Sequence, residues 1–354
     1  MCGEPSASLG RYYAVFDGHG GAGAAHFCAA TLRRSIEAAL DADVSYHASE
    51  AGASPSPPLR APAWDAPPPA PGSARAAALE RAVTAGFLAA DAAYADVARQ
   101  SGADDGAAAV IACVFGCRAG ALRCLLAWAG DCAALLLRRD GRCERLTPPH
   151  SALAPAPAEA ARFSAAGGEF RRGRALLRRA DGRHISLAMT RAIGDYEDAN
   201  IRAAMPASHD AVLPAGSLPE PAPSQTHLQP VPSAAVTAAP ELTWLDLRPE
   251  LHLGLLLCSD GVTDALELEH VYAAAASAAP HAAHAAGAVV AAAAAAPPGT
   301  PRADDATAVA VLLTEGCDDA AARLRMDLNR LAHAAQPAPD DARGSKRDRT
   351  AGPE

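Results

Sequence analysis

Five acidic sites lie beside glycines or at the ends of apolar stretches, where their carboxylates could bind a metal ion. They are Asp17 before Gly18, Asp131 after Gly130, Asp195 after Gly194, Asp260 before Gly261, and Asp304 with Asp305 before the last apolar run. If the apolar stretches are strands, these carboxylates gather at one sheet rim and repel each other unless a cation neutralises them. Oxygen-only ligands select Mg²⁺ or Mn²⁺ over zinc. Asp-Gly pairs can instead simply mark turns, but their place at the most apolar stretches favours a metal site.

Segment 15–23, VFDGHGGAG, sets Asp17 and His19 within a G-x-G-x-x-G pattern that is typical of dinucleotide binding. In such a cradle the glycine amides approach a pyrophosphate, which the charge of Asp17 would repel. The later strands also read as hairpins, whereas a dinucleotide cradle requires parallel β-α-β units. We therefore interpret the segment as a metal-binding turn that presents an acid and a base, with the dinucleotide site as the weaker alternative.

Two further motifs could carry chemistry. Cys117 and Arg123 match the C-x(5)-R loop of cysteine phosphatases. That loop needs a helix N-terminus and nearby amides to lower the thiol pKa, whereas a strand, a turn and a second strand are predicted here. His281 and His284 could share one face of a helix, but no cysteine or acid lies near them in sequence, so a metal site is the weaker interpretation.

Composition restricts the partners and the compartment. The 354 residues carry a net charge of -9, so no broad basic face for nucleic acid is expected. Nine scattered cysteines without a C-x-x-C pair favour a reducing compartment over disulfides or a zinc-thiolate site. No apolar run suits a membrane span, and the N-terminus lacks signal-peptide features. We expect a cytoplasmic monomer, with a nuclear location left open by the basic patch at 345–349.

Hydrophobic periodicity predicts paired helices and consecutive strands. The predicted strands are 12–16, 108–115, 122–129, 133–138, 242–247, 252–258 and 306–313. The predicted helices are 23–40, 76–100, 157–166, 267–278 and 284–295. Because turns such as RDG join successive strands, they indicate hairpins in a layered α+β fold rather than β-α-β crossovers.

One domain is predicted over residues 1–335. Two Pro-rich insertions, at about 54–73 and 205–233, lack the apolar periodicity of a core. The polar, charged segment 336–354 lacks it as well. We expect loops or disorder in all three segments.

Six blocks along residues 11–315 together resemble a known family. They read VFDGHGG, LLAWAGDCAALLLRRDGRCERLT, AEAARFSAAGGEF, LAMTRAIGD, LLLCSDGVTDAL and ADDATAVAVLL. Each block alone is weak, but their order is that of the metal-dependent serine/threonine phosphatases of the protein phosphatase 2C type. The resemblance excludes the two Pro-rich insertions.

The resemblance implies a four-layer αββα sandwich of two mainly antiparallel sheets flanked by helices, which hydrolyses phosphoserine and phosphothreonine in proteins. It implies Mg²⁺ or Mn²⁺ as cofactor, with a bridging hydroxide that attacks phosphorus. By motif match, Asp17 would bridge two ions, the Gly18 carbonyl would bind the second, Asp260 and Asp304 would complete the first, and Asp131 would help hold a third. His19 would protonate the leaving oxygen, which a histidine can do near neutral pH.

The sequence departs from the family upstream of DGHGG. The family has a strand there with an Arg that holds phosphate and a Glu-Asp pair that binds the second metal. Glu4 and Arg11 are the only upstream acid and arginine, and neither has that context, so we expect the family's first strand to be missing. Two interpretations stay open: an N-terminally incomplete copy of an active enzyme, or a pseudophosphatase that acts as a regulatory binding module.

Overall fold

The computed structural model describes residues 8–43, 68–116, 122–178, 184–195, 235–296, 304–313 and 332–334. Its helices are α1 (Gly23–Asp41), α2 (Ala74–Ser101), α3 (Pro157–Ala165), α4 (Asp260–Thr263), α5 (Leu268–Ser277) and α6 (Ala282–Ala294). Its strands are β1 (Arg11–His19), β2 (Gly106–Gly116), β3 (Leu122–Ala129), β4 (Ala133–Arg138), β5 (Cys143–Arg145), β6 (Gly168–Arg171), β7 (Arg174–Arg178), β8 (His184–Leu187), β9 (Ile193–Gly194), β10 (Glu241–Leu247), β11 (His252–Cys258), β12 (Ala306–Leu312) and β13 (Ala332–Ala334).

Two antiparallel sheets form the centre of the fold. The first has the order β1-β2-β3-β10, with β9 also paired to β2, and the second has the order β13-β12-β11-β4-β5. The chain leaves β3 of the first sheet and enters β4 of the second through residues 130–132. Asp131 therefore sits where the chain crosses between the sheets, at one end of the sandwich.

Helices cover the outer faces of both sheets. The core between the sheets joins β1, β2 and β3 to β4, β11 and β12. A second core packs α1 and α2 on the first sheet, and a third packs α5 and α6 on the second. Because both of its faces are covered, β2 is buried along its whole length and reads as a continuous apolar run rather than an alternating one. These layers are the predicted αββα sandwich.

Helix α2 shows how the sequence sets its own limits. It starts at an N-cap, Ser73, whose side chain accepts a hydrogen bond from the amide of Ala76, and it ends at Gly102 in the left-handed conformation. Gly86 lets α1 come close, since a Cβ there would lie 2.4 Å from a side-chain carbon of Ile36. Because α1 and α2 lie close together, small side chains such as alanine are enough to fill the core between them, in a chain that has few aromatic residues.

A small third sheet, β6-β7-β8, lies apart from the sandwich. Phe163 of α3 packs on Phe170 of β6, with ring centroids 5.0 Å apart. A Cβ at Gly168 would overlap the Phe163 ring, at 2.2 Å. This sheet was not predicted from the sequence, because short strands rich in arginine lack the apolar alternation that marks strands.

The predicted helices and the seven predicted strands are all present, with ends within a few residues of the prediction. Within each of the three sheets, the described strands pair in antiparallel fashion, as the hairpin interpretation requires. Most of the first predicted insertion, and all of the segments 205–233 and 336–354, lie outside the described residues. The single domain over 1–335 stays a prediction.

Candidate active site

Five aspartates from distant parts of the chain line one cleft at an end of the sandwich. The cleft has a volume of about 290 Å³ and is lined by Asp17, Gly18, His19, Asp131, Asp195, Asp260 and Asp304, together with Ala108, Arg174 and residues 186–189. The aspartates come from β1, the 130–132 crossing, the end of β9, the end of β11 and the residues before β12. All the site residues predicted from the family resemblance therefore lie together, whereas Asp305 does not line the cleft.

Burial and neighbouring carboxylates raise the pKa of Asp17 and of Asp131. Burial, followed by the charge of Asp260, a hydrogen bond with the Asp260 side chain and then the charges of Asp131 and Asp304, raises the pKa of Asp17 to about 8. Burial and the charge of Asp260 raise the pKa of Asp131 to about 6. Within the described residues, Oδ1 of Asp260 is buried without a hydrogen-bond partner. A divalent cation would remove both the repulsion and the unsatisfied oxygen, so these residues fit a metal with oxygen ligands.

Backbone packing places Asp260 next to Asp304. The hydroxyl of Ser259 accepts from the amide of Thr307 at 3.0 Å and donates to the carbonyl of Asp305 at 3.2 Å. The strand ends approach so closely that a Cβ at Gly261 would lie 2.4 Å from that carbonyl oxygen. The amide of Asp305 also donates to Oδ1 of Asp304 at 2.8 Å, which orients that carboxylate.

His19 and Asp195 form an ion pair across the cleft. Nε2 of His19 lies 2.7 Å from Oδ1 of Asp195, with side chains that are 37% and 11% exposed. Burial lowers the pKa of His19, but the hydrogen bond and charge of Asp195, with the charges of Asp131 and Asp17, outweigh burial and raise it. The imidazole is therefore held in its protonated form to higher pH than an isolated histidine.

Asp195 reaches His19 through an unusual backbone. Its φ is +59°, in the left-handed region that non-glycine residues seldom adopt. Its amide donates to the carbonyl of Asp105 at 3.0 Å, and the amide of Gly194 donates to the buried carboxylate of Asp91 at 2.9 Å. These bonds hold the conformation, so the direction of the Asp195 side chain is set by its backbone.

The glycines after His19 pack against Asp105. The carboxylate of Asp105 accepts from the amide of Ala24 at 3.1 Å and bonds the hydroxyl of Tyr94. A Cβ at Gly23 would lie 2.8 Å from Asp105 Oδ2, and one at Gly21 would lie 3.1 Å from it. The chain's own carboxylate thus occupies the start of α1, where a dinucleotide phosphate would bind, and the dinucleotide alternative is wrong for this segment.

Asp131 is held by contacts on both sides of its turn. Gly130, at φ +104°, donates its amide to Nδ1 of His150 at 3.1 Å and accepts from the amide of His150 at 2.9 Å. Nη2 of Arg145 donates to the carbonyl of Asp131 at 2.7 Å. His150 is only 2% exposed, so the turn is anchored on a buried side chain.

A second group of possible ligands, His150, Glu159 and Glu241, lies behind that turn. Glu159 is only 2% exposed and accepts hydrogen bonds from Arg162 at 2.6 Å, from Arg191 at 2.6 Å and from Thr190 at 2.6 Å. Two guanidinium groups on one carboxylate already neutralise it and would repel a cation. We interpret this group as a buried ion-pair network that ties α3 to the segment leading into Asp195.

Several features of the cleft are not evident from the sequence. Asp195 was recognised only as an acid beside a glycine, and its pairing with His19 spans 176 residues. Arg174 belongs to no motif that marks a site. The glycines of segment 15–23 are the sequence feature that relates to Asp105, because Gly21 and Gly23 pack against the Asp105 carboxylate.

Neither the C-x(5)-R motif nor the histidine pair forms a site in the described part of the chain. Cys117 is not among the described residues. Arg123 lies in β3, where it pairs with Asp246 at 3.1 Å and stacks over the ring of Trp244 at 4.7 Å, away from the cleft. The rings of His281 and His284 are 5.4 Å apart, but in the described chain they belong to no group of three possible ligands.

The described residues include six of the nine cysteines. Those cysteines are all free, and most are buried; they are Cys28, Cys113, Cys124, Cys132, Cys143 and Cys258. None of the helices in the described ranges combines the length and apolar character needed to cross a membrane.

Comparison with solved structures shows which proteins share the fold. A serine-threonine phosphatase 2C from Toxoplasma gondii shares the fold with a TM-score of 0.50 and 17% identity, and the match covers 80% of this chain and 78% of that one. A phosphatase from a pathogenic strain of Toxoplasma gondii has a TM-score of 0.51 and 16% identity, and the match covers 85% of this chain and 83% of that one. At these identities the likeness concerns the fold alone.

The sequence comparisons point to the same family. A probable protein phosphatase 2C 27 of Arabidopsis thaliana is 32% identical over 192 residues, which are 54% of this chain and 37% of that protein. The chain thus matches well under half the length of this relative. A family model described as protein phosphatase 2C matches residues 1–296. The chain belongs to the protein phosphatase 2C family.

Proposed function

We propose that this chain is a metal-dependent protein phosphatase that hydrolyses phosphoserine and phosphothreonine with a metal-activated water. The observation that carries the proposal is the convergence of Asp17, Asp131, Asp260 and Asp304 at one end of the sandwich, beside a histidine whose pKa is raised by Asp195. Metal ions that activate a water and a general acid that protonates the leaving group can together catalyse hydrolysis of a phosphate monoester.

The oxygen ligands favour Mg²⁺ or Mn²⁺ as the cofactor. Asp17 and the Gly18 carbonyl would hold the ions together, Asp260 and Asp304 would complete one site, and Asp131 would hold a weaker third ion. When bound, the ions would supply a hydroxide nucleophile at neutral pH and offset the charge of the phosphoryl group. Oδ1 of Asp260, which is buried and has no hydrogen-bond partner in the described part of the chain, supports the assignment of Asp260 as a ligand.

His19 would donate the proton to the departing serine or threonine oxygen. An alkoxide is a poor leaving group, so a positioned acid lowers the barrier. Because Asp195 bonds Nε2, the protonated ring has Nδ1–H left as the donor to the leaving oxygen. Asp195 would hold the ring in place and keep it charged.

The acidic cleft and the net charge of -9 favour phosphoproteins over nucleic acids as substrates. We propose that the chain acts as a monomer, without a membrane partner, in the cytoplasm or the nucleus. The alternative is a regulatory binding module with the same fold and little or no turnover.

Hydrolysis of a phosphothreonine peptide, with and without Mn²⁺, tests the proposal. Wild-type protein should release phosphate only with the metal, and Asp260→Asn should abolish most of that release. Asp96→Asn is the matched control, because Asp96 is an exposed helix residue that pairs with Arg99 and does not line the cleft. No Mn²⁺-dependent release by the wild type, with Mn²⁺ binding intact in calorimetry, would support the regulatory module instead.

A further inference from the structure

The small sheet contributes one wall of the acidic cleft. Arg174 of β7 and residues 186–189, at the end of β8 and beyond, line it together with the aspartates. Among the described lining residues, Arg174 is the only arginine, and none is a lysine. It is therefore the one permanently charged cation that this part of the protein presents to the cleft.

The guanidinium of Arg174 is oriented by neutral partners. Its Nε donates to Oγ of Ser186 at 3.0 Å, and its Nη2 donates to the carbonyl of Ser186 at 2.8 Å. Across the described chain no carboxylate pairs with Arg174, whereas Arg162 and Arg191 both pair with Glu159. Nη1 of Arg174 has no acceptor among the described residues, so its donors remain for a ligand.

An incoming phosphoprotein meets a cleft lined by five carboxylates. Its own anionic groups are repelled there unless cations offset the charge. Metal ions held by the aspartates would offset that charge, whereas the described lining residues 174 and 186–189 include no carboxylate that could hold an ion. A guanidinium is planar and presents several donors, which suits recognition of a phosphoryl or carboxylate oxyanion.

We propose that Arg174 binds an oxyanion of the substrate, either a phosphoryl oxygen or a carboxylate close to the phosphorylated residue. This inference rests on the proposed function for the class of substrate. It gives the small sheet a role in substrate selection that the sandwich does not fill.

The test is binding of two fluorescent phosphothreonine peptides, one with acidic neighbours and one with neutral neighbours, followed by anisotropy. Arg174→Gln should weaken binding about tenfold, the scale of one charge-assisted hydrogen bond. Arg171→Gln is the matched control: Arg171 faces Arg174 across the β6–β7 pair, is exposed and does not line the cleft. Its binding should stay at the wild-type level.

The two sources of the oxyanion give different patterns. A phosphoryl contact predicts weaker binding of both peptides and a higher KM for p-nitrophenyl phosphate. A carboxylate contact predicts weaker binding of the acidic peptide alone. Ser186→Ala keeps the charge and removes one orienting bond, so it should give a smaller loss of the same pattern.

Failure of this inference can be told apart from failure of the proposed function, because anisotropy needs no turnover. Peptide binding that depends on Arg174 without phosphate release would contradict the phosphatase proposal alone. Equal binding by Arg174→Gln and Arg171→Gln, with unfolding temperatures matched by circular dichroism, would overturn the role of Arg174. Wild-type protein that binds neither peptide would overturn it as well.

Discussion

Nε2 of His19 lies 2.7 Å from Oδ1 of Asp195, in a space that exists because residue 106 is glycine. A Cβ at Gly106 would lie 2.5 Å from Nε2 and 2.6 Å from Oδ1. Gly106 begins β2 and pairs with His19 on one side and with Gly194 on the other. The start of a central strand thus brings together an acid and a base that are far apart in sequence.

Replacing Asp195 should affect substrates according to their leaving group. Asp195→Asn removes the charge that keeps His19 protonated, so kcat for a phosphothreonine peptide should fall at least about tenfold. p-Nitrophenyl phosphate should be affected much less, because nitrophenolate leaves without a proton. Steady-state kinetics on both substrates measure this difference, and an equal fall on both would contradict the role of the pair.

Adding a methyl group at residue 106 should push His19 and Asp195 apart while leaving both residues unchanged in sequence. Gly106→Ala should lower kcat for the peptide in the same leaving-group-dependent way as Asp195→Asn. Gly287→Ala is the control, because a Cβ there meets nothing within 4 Å and alanine favours a helix. Kinetics and thermal unfolding of both variants separate a local effect from a loss of fold; unchanged kinetics in Gly106→Ala would count against the geometry.

His150 offers a matched pair of substitutions at the Asp131 turn. Asn can place an amide oxygen near the position of Nδ1 and still accept from the Gly130 amide, whereas Gln reaches toward the position of Nε2. His150→Gln should therefore raise the Mn²⁺ concentration needed for half-maximal activity more than His150→Asn does. Losing the buried bond should also lower the free energy of unfolding by about 1–3 kcal/mol. The reverse order of the two variants would show that Nδ1 does not hold the turn.

The Glu159 network should govern stability in acid. Although burial opposes ionisation, hydrogen bonds from Arg162, Arg191 and Thr190 hold the pKa of Glu159 well below its usual range. A lowered carboxyl pKa stabilises the fold above the unfolded value of about 4.3, and this contribution is lost as pH falls below it. Glu159→Gln should cost about 3 kcal/mol near pH 7, because it removes the carboxylate charge that Arg162 and Arg191 share and leaves Arg191 only its longer contact with Glu241.

Urea unfolding at pH 7 and pH 3.5 measures that cost, which should shrink at the lower pH. Glu37→Gln is the control: Glu37 pairs with Arg33 one helical turn away, and loss of such a pair costs under about 0.5 kcal/mol. A penalty for Glu159→Gln that is independent of pH would argue against the network.

Most of the fold and the aspartate cluster could be predicted from the sequence because their signals are local. Apolar runs marked the strands, and Asp17, Asp131 and Asp260 each stood beside a glycine at the edge of such a run. Their meeting in one cleft follows from strands of two sheets ending at the same side of a sandwich.

What could not be predicted depends on contacts between distant residues. Asp195 points at His19 because of its left-handed backbone, held by Asp105 and Asp91, and no sequence pattern encodes that direction. Arg174 reaches the cleft through a sheet of short, polar strands, and its role depends on the hydrogen bonds it makes with Ser186.

The most direct test of the metal site compares thermal unfolding of wild type and Asp260→Asn in EDTA and in Mn²⁺. In EDTA, Asp260→Asn should unfold at a higher temperature, because it removes one of the charges that repel Asp17. In Mn²⁺ the order should reverse, since the wild type binds the ion more tightly and gains more stability from it. If Mn²⁺ shifts both proteins equally, or shifts neither, these aspartates are not a metal site and the proposed metal-dependent hydrolysis is contradicted.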